Sequence, residues 1–444
     1  MSFYIEKPRT TCALGGALAA ISALSEVVPI AHTAAGCPGN LSGATGFSAG
    51  NCGSSYCSGA SVPVSNIGEN EVVFGGEKRL KEEIESAFEL IEAKLFVVAT
   101  GCMTEIIGDD IQRVIVEFQD ENKPIIHINT ASFEGDAYEG YEILLDGIFN
   151  QYIPIKKEKD NKVVNVFGVV PLFDPFFRGE LEEIKRLLES IGLKVNTFFT
   201  PDQSFENIIS ASEAGLNIIL SKVHGIKFAE KFKEKHGTPY YVTELPIGAE
   251  ATDEFLRLIA KELSLNKEIV EQVIEHENLI YYRYLERLAD TIADGEFKFY
   301  ASVVSNANCA IPYAAFLQKE LGWIICETII TDILDKNGKE ELGVSFKNKD
   351  ILGKLIFETD AGGIVKIITR NHPQHQGEFF FDSYTPLYIL GSTLEKEFAD
   401  KKKANKLSVS YPVYDRVIID KGYAGYRGGL HLFEDIIGSL VAGR

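Results

Sequence analysis

Two kinds of apolar pattern alternate along most of this chain. Short, nearly uninterrupted apolar runs read as buried strands, and longer stretches with apolar residues every three or four positions read as helices. In the first region, residues 27–31, 95–100 and 124–128 are the strand candidates. Residues 77–93 have helical periodicity, with Leu80, Ile84, Ala87, Phe88 and Ile91 on one face. Residues 111–118 are expected to continue a helix begun after Cys102. A second region opens with a strand at 163–170, followed by a helix at 179–191 and a strand at 193–199. It closes with helices at 251–263 and 267–293. A third opens with a strand at 297–304 and ends in a helix at 429–442. The expected fold is α/β, with three doubly wound (Rossmann-like) parallel-sheet domains at residues 1–160, 161–293 and 294–444. The glycine- and serine-rich stretch 43–61 reads as a loop.

A length of 444 residues suits about three domains and can bury large cores without metals or disulfides. The net charge of −20 leaves no basic stripe, which argues against nucleic acid as a partner. No apolar run reaches the roughly 18 residues of a membrane span. The apolar run from Ala13 to Leu24 is broken by Ser25-Glu26 before Pro29 and His32, which disfavours a secretory leader. Seven cysteines, an odd number, disfavour a disulfide framework. These features together predict a cytoplasmic protein.

Three cysteines occupy matched places. Cys12 precedes the small apolar helix-like run 13–21, Cys37 follows the first strand, and Cys102 follows the second and opens a helix-like run. In a parallel α/β sheet these strand-to-helix turns share one edge, where ligands bind. Three thiolates on that edge suggest a metal or iron–sulfur site. On position alone, buried structural cysteine is an equal reading. Other candidates are weaker. The loop 43–61 lacks a nucleotide-binding glycine fingerprint. His372 and His375 lack companion ligands. Cys309 and Cys326 read as buried.

The segment Thr100-Gly101-Cys102-Met103-Thr104-Glu105-Ile106-Ile107-Gly108-Asp109-Asp110 resembles the surroundings of the third cluster cysteine in the nitrogenase component 1 superfamily. Cys12 with Leu14-Gly15 resembles the first, and His32 with Gly36-Cys37 the second. Glu69 with Val73-Phe74-Gly75-Gly76 and Thr130-Ala131-Ser132-Phe133 resemble further family segments. Leu245-Pro246-Ile247-Gly248, Ala251-Thr252-Asp253-Glu254 and Tyr411-Pro412-Val413-Tyr414-Asp415-Arg416 are similar to the β-type subunit in particular.

This resemblance implies an oxidoreductase subunit in which Cys12, Cys37 and Cys102 ligate half of a P-cluster-type iron–sulfur centre, with Ser132 as an auxiliary oxygen ligand. It implies a homologous α-type subunit, in an α2β2 assembly, supplying the other half and the catalytic cofactor. It also implies an ATP-dependent iron-protein reductase docking near Asp110 and Phe74. The centre would be 8Fe-7S, or 4Fe-4S if the chain is instead a scaffold for cofactor assembly. Retention of Cys102 favours the reductase. Cys12 comes early, so the N-terminal extension of the molybdenum enzyme's β-subunit is not expected here, and Cys52 and Cys57 are additional. The position of the α-type cofactor thiolate falls near Ser221, with no cysteine, and His431 is no convincing counterpart of the cofactor histidine. The resemblance therefore does not place the large cofactor in this chain. The substrate stays open among dinitrogen, a tetrapyrrole, a thioether and other multi-electron acceptors.

Overall fold

The computed structural model describes residue 5 and residues 7–51, 62–293, 297–372 and 387–442. Its strands form three sheets, all parallel. The first comprises β1 (Val27–His32), β2 (Leu95–Thr100) and β3 (Ile125–Ile128), in that order. The second comprises β4 (Asp160–Phe167), β5 (Lys194–Asn196), β6 (Ala214–Ile219) and β7 (Tyr240–Val242), in the order β5-β4-β6-β7. The third comprises β8 (Tyr300–Ser305), β9 (Ile324–Ile330), β10 (Lys354–Phe357), β11 (Leu387–Gly391) and β12 (Asn405–Ser408), in the order β10-β9-β8-β11-β12. The expected α/β architecture is present.

The strands are continuous apolar runs because both sheet faces are covered. Along β2, Leu95, Val97 and Ala99 face the large central core. Phe96 and Val98 face a second core with Leu80, Ile84 and Ile115 from the outer helices. The third sheet divides likewise, with Tyr388 and Leu390 turned one way and Leu387 and Ile389 the other.

The small residues of the first helix, Ala13–Ser22, serve close packing against helix Ala137–Leu145. A Cβ on Gly16 would lie 1.9 Å from the Ala137 carbonyl oxygen, and one on Gly140 would lie 2.0 Å from that of Ala13. Backbone thus meets backbone, and neither side can yield without the helices separating. Gly16→Ala is expected to destabilise the protein by about 3 kcal/mol, at the upper end of overpacking costs. Thermal unfolding measures this, and an unchanged midpoint would refute the contact.

Three segments depart from the sequence reading. Residues 43–48, expected in a loop, belong to helix Gly36–Ser48. Thr45 and Gly46 are buried there, and the helix packs on Ala13–Ser22, so tertiary packing outweighs the low helix propensity of its glycines. The helix after Cys102 does not run on to residue 118. Cys102–Ile107 ends at Gly108 in the left-handed conformation (φ +78°), and Ile111–Asp120 starts anew with the Asp110 carboxylate accepting from the Arg113 N–H at 3.1 Å. The run 267–293 divides into Lys267–Glu286 and Ala289–Ala293.

A buried polar junction ties the sheets together. Asn306 and Asn308, after β8, donate to the buried Asp174 carboxylate, and Asn306 also donates to the Tyr138 hydroxyl (3.1 Å). His224, after β6, stacks on Tyr138 with centroids 4.1 Å apart and pairs with Asp332 at 3.1 Å. The closing helix, Gly425–Ala442, packs against Phe177–Ser190 and β12. Among the described residues no helix is long and apolar enough to cross a membrane.

Candidate metal centre

The first sheet sets the site by register. His32 at the end of β1 pairs with Thr100 at the end of β2, and Ala99 pairs with Ile128 at the end of β3. The loops leaving these ends carry Cys37, Cys102 and Ser132. Cys37 sits in the first turn of Gly36–Ser48, and Cys102 is the first residue of Cys102–Ile107. Cys12 caps Ala13–Ser22 and bridges Asp136 across the loop after β3, where the Ala13 N–H donates to the Gly135 carbonyl at 3.0 Å. Upstream, Arg9 is buried in an ion pair with Glu395 and donates to Ser392 Oγ at 2.9 Å, fixing the segment before Cys12 to the loop after β11.

Cys102 and Ser132 are in direct contact. The thiol donates to Ser132 Oγ at 3.0 Å, and the Ser132 N–H donates to Cys102 Sγ at 3.2 Å. The loop that presents Ser132 is anchored beneath, where Thr130 Oγ1 donates to the Thr100 carbonyl (2.8 Å) and the Thr130 N–H donates to Thr100 Oγ1 (3.0 Å). Cys37 has no hydrogen bond from its thiol to the other cysteines. Its helix packs against the one that Cys12 caps.

All three thiols are free and partly or fully exposed. Large apolar side chains stand exposed on the elements that carry them: Phe47 on the Cys37 helix, Ile106 on the Cys102 helix and Phe133 beside Ser132. Phe74, 87% exposed, ends helix Glu69–Phe74, which packs on the Cys102 helix. Asp110 is also exposed.

Beneath this surface lies a network whose residues the sequence reading quoted only as parts of motifs. His32 is fully buried, with Nδ1 2.8 Å from Ser65 Oγ and Nε2 3.1 Å from Asp109 Oδ2. Asp109 Oδ1 accepts the Gly76 N–H at 2.8 Å, and Thr104 Oγ1 donates to the His32 carbonyl at 2.9 Å. Burial lowers the His32 pKa despite the Asp109 carboxylate, so the ring is neutral near pH 7. A neutral ring that donates from Nε2 to Asp109 accepts at Nδ1 from the Ser65 hydroxyl. The network pins the start of the Cys102 helix, the turn after it and the Phe74-Gly75-Gly76 turn into one unit. Beside Cys12, burial first and then the hydrogen bond with Glu139 push the Asp136 carboxyl up to about 8. That pair holds a proton at neutral pH.

The remaining candidates lie apart. Cys309 is buried and its thiol pKa is pushed up by burial, as expected of an inert core cysteine. Cys326 corrects the reading of a buried residue: it lies inside β9, two positions from the exposed strand start, and is only partly buried. Ser221 Oγ accepts the His224 N–H at 2.8 Å, which is a turn-stabilising role. His431 Nδ1 lies 3.2 Å from the Gly422 carbonyl. Cys52, Cys57 and His375 lie outside the described residues. Among the described residues, no three His, Cys, Asp or Glu side chains converge on a point that would hold a single metal ion.

The three parallel sheets, with Cys37 and Cys102 at the strand-to-helix turns of the first, define an α/β protein that carries free thiols along one sheet edge. Comparison with known proteins gives the family. The nitrogenase component 1 type oxidoreductases match residues 12–440, and the chain belongs to that family. It is 23% identical to the nitrogenase molybdenum-iron protein beta chain of Methanococcus maripaludis, over 98% of this chain and 94% of that one. It is 29% identical to the nitrogenase iron-molybdenum cofactor biosynthesis protein NifE of Rippkaea orientalis, over 62% of this chain and 59% of that one. The solved structure "Nitrogenase Cp1 at pH 6.5" superposes with a TM-score of 0.80 at 21% identity, covering 100% of this chain and 94% of that one. The chain is thus an oxidoreductase-family protein of the β type.

Proposed function

We propose that this chain is the β-type subunit of a nitrogenase-like, ATP-dependent multi-electron reductase. Cys12, Cys37 and Cys102 would hold one half of a P-cluster-type iron–sulfur centre, and a homologous α-type subunit in an α2β2 assembly would hold the other. The donor set fits such a centre: free thiols on one sheet edge, one of them already accepting a backbone N–H. Such an amide bond stabilises a thiolate and tunes a cluster potential. When bound, the centre supplies low-potential electron storage and release.

The observation that carries the reading is the Cys102–Ser132 contact. It puts an oxygen donor beside one thiol of the set, where Ser132 can join the ligand sphere. The residues around it have separable tasks. Phe47 and Phe133 offer apolar surface for the α-type subunit to cover. The His32–Asp109 network holds the thiol-bearing loops in place. The three sheets are proposed to mark units at residues 1–160, 161–293 and 294–444.

Asp110 and Phe74 are proposed to face the iron-protein reductase. A charge at such a rim mainly sets association rate and its salt dependence. Asp110→Asn is expected to slow ATP-dependent electron transfer by a few-fold at low salt, less at high salt, and to leave reduction by a small chemical donor unchanged. Equal impairment with both donors would assign Asp110 to the cluster site itself.

The match to NifE keeps a second reading in view, a scaffold that holds a maturing cofactor. Turnover separates the two. A reductase consumes ATP and electrons catalytically with its iron protein, whereas a scaffold transfers its cluster once to an apo acceptor. The protein is proposed to work in the cytoplasm.

A further inference from the structure

Helix Lys267–Glu286, with 20 residues and a length of about 30 Å, packs against the rest of the chain on one face only. Val270, Ile274 and Tyr281 are buried there, against Ala249–Glu262 and Gly425–Ala442. The polar groups that flank this face are satisfied within the chain. Glu271 accepts from Arg257 at 2.8 Å, Glu277 accepts from Arg186 at 2.6 Å, and Asn278 donates to Asp253 at 2.9 Å.

The opposite face is different. Ile269, Leu279, Ile280, Tyr282 and Tyr284 are exposed on it or at its margin. Successive residues turn about 100° around a helix, which sets Leu279 opposite the buried stripe. The same turn sorts the exposed charges onto two flanks. Glu268, Glu275 and Glu286 lie on one side of Leu279, and His276, Arg283 and Arg287 on the other. None of these side chains has an ion-pair partner among the described residues. Arg283 and Arg287, four positions apart, repel each other when left alone.

We propose that a second copy of this chain seats on this face, the two helices lying parallel about a two-fold axis at Leu279. In that arrangement the acidic flank of each helix meets the basic flank of the other. Glu286 comes opposite Arg283 and Arg287 of the second copy, Glu275 comes opposite His276, and Leu279 meets its own counterpart. An antiparallel pair would instead set Glu275 toward Glu286 and Arg283 toward His276. The charge pattern is therefore complementary to itself in one orientation, as a two-fold contact between identical surfaces requires. The inference rests on the α2β2 reading and adds to it the surface that joins the two halves.

The test is sedimentation of the anaerobically purified assembly over a range of concentrations. Arg283→Glu/Arg287→Glu makes both flanks acidic, so the assembly should separate into αβ units, with the dissociation constant between halves raised by about 100-fold or more. Adding Glu286→Arg exchanges the facing charges and should restore α2β2. All three positions are exposed, so thermal unfolding and iron per αβ unit should stay parental, which separates this contact from the cluster. Retention of α2β2 by the double variant overturns the proposal, and so does failure of Glu286→Arg to restore it. Release of a free chain would mean that the α-type subunit covers this face, which also overturns it. A parent that runs only as αβ overturns the α2β2 reading and this contact together.

Discussion

Cys102→Ala protein, purified without oxygen together with its partner, is expected to retain about a tenth or less of the parental iron, since loss of a direct ligand exceeds the 10- to 100-fold effect of outer contacts. The reason lies in the local geometry. Cys102 opens its helix at the end of β2, where its thiol donates to the Ser132 hydroxyl oxygen and its sulfur accepts the Ser132 N–H. Its removal deletes a ligand and leaves the Ser132 N–H without its acceptor. Ser132→Ala should behave differently. The backbone N–H still reaches Sγ, so iron content should stay near parental, while the spectrum of the oxidised centre changes through loss of the oxygen donor. Cys309→Ala provides the contrast, because that thiol is buried in another part of the core and should not affect iron at all. Full iron in the Cys102 variant would remove this residue from the ligand set.

The second large effect is expected at Asp109. Its carboxylate takes the Nε2 proton of a fully buried histidine and the N–H of Gly76, and its side chain is 3% exposed. Asp109→Ala leaves both donors unsatisfied in a dry setting. The expected loss is about 3 kcal/mol, the scale for hydrogen bonds to a charged group. Asp109→Asn retains one acceptor oxygen for two donors and should cost about half as much. Chemical denaturation of the three proteins orders them. If alanine and asparagine are equally mild, the network does not carry the loops. Because the same network joins the Phe74 turn to the Cys102 helix, the alanine variant should also lose cluster faster in air than its stability alone would explain.

Much of this was readable along the chain, for identifiable reasons. Strands buried on both faces leave continuous apolar runs, so β2 was visible from Leu95 to Thr100 without any structure. The placement of Cys37 and Cys102 followed from the rule that strand-to-helix turns in a parallel sheet share an edge. What escaped was tertiary. Helix Gly36–Ser48 contains four glycines and shows little amphipathic pattern, so only its packing on Ala13–Ser22 reveals it. The His32 network joins residues 33 and 77 positions apart, and no local period links them. Gly108 was a visible stop signal. A glycine followed closely by an aspartate cap outweighs the apolar periodicity that suggests one continuous helix through 111–118.

The central claim is that this chain carries half of a shared centre. It is tested most directly by counting iron in the anaerobically purified chain, alone and with its co-purifying homologous subunit. Iron and inorganic sulfide are expected in the joint assembly, and little of either in the isolated chain. A monodisperse isolated chain holding a complete cluster, or an iron-free joint assembly, would contradict it.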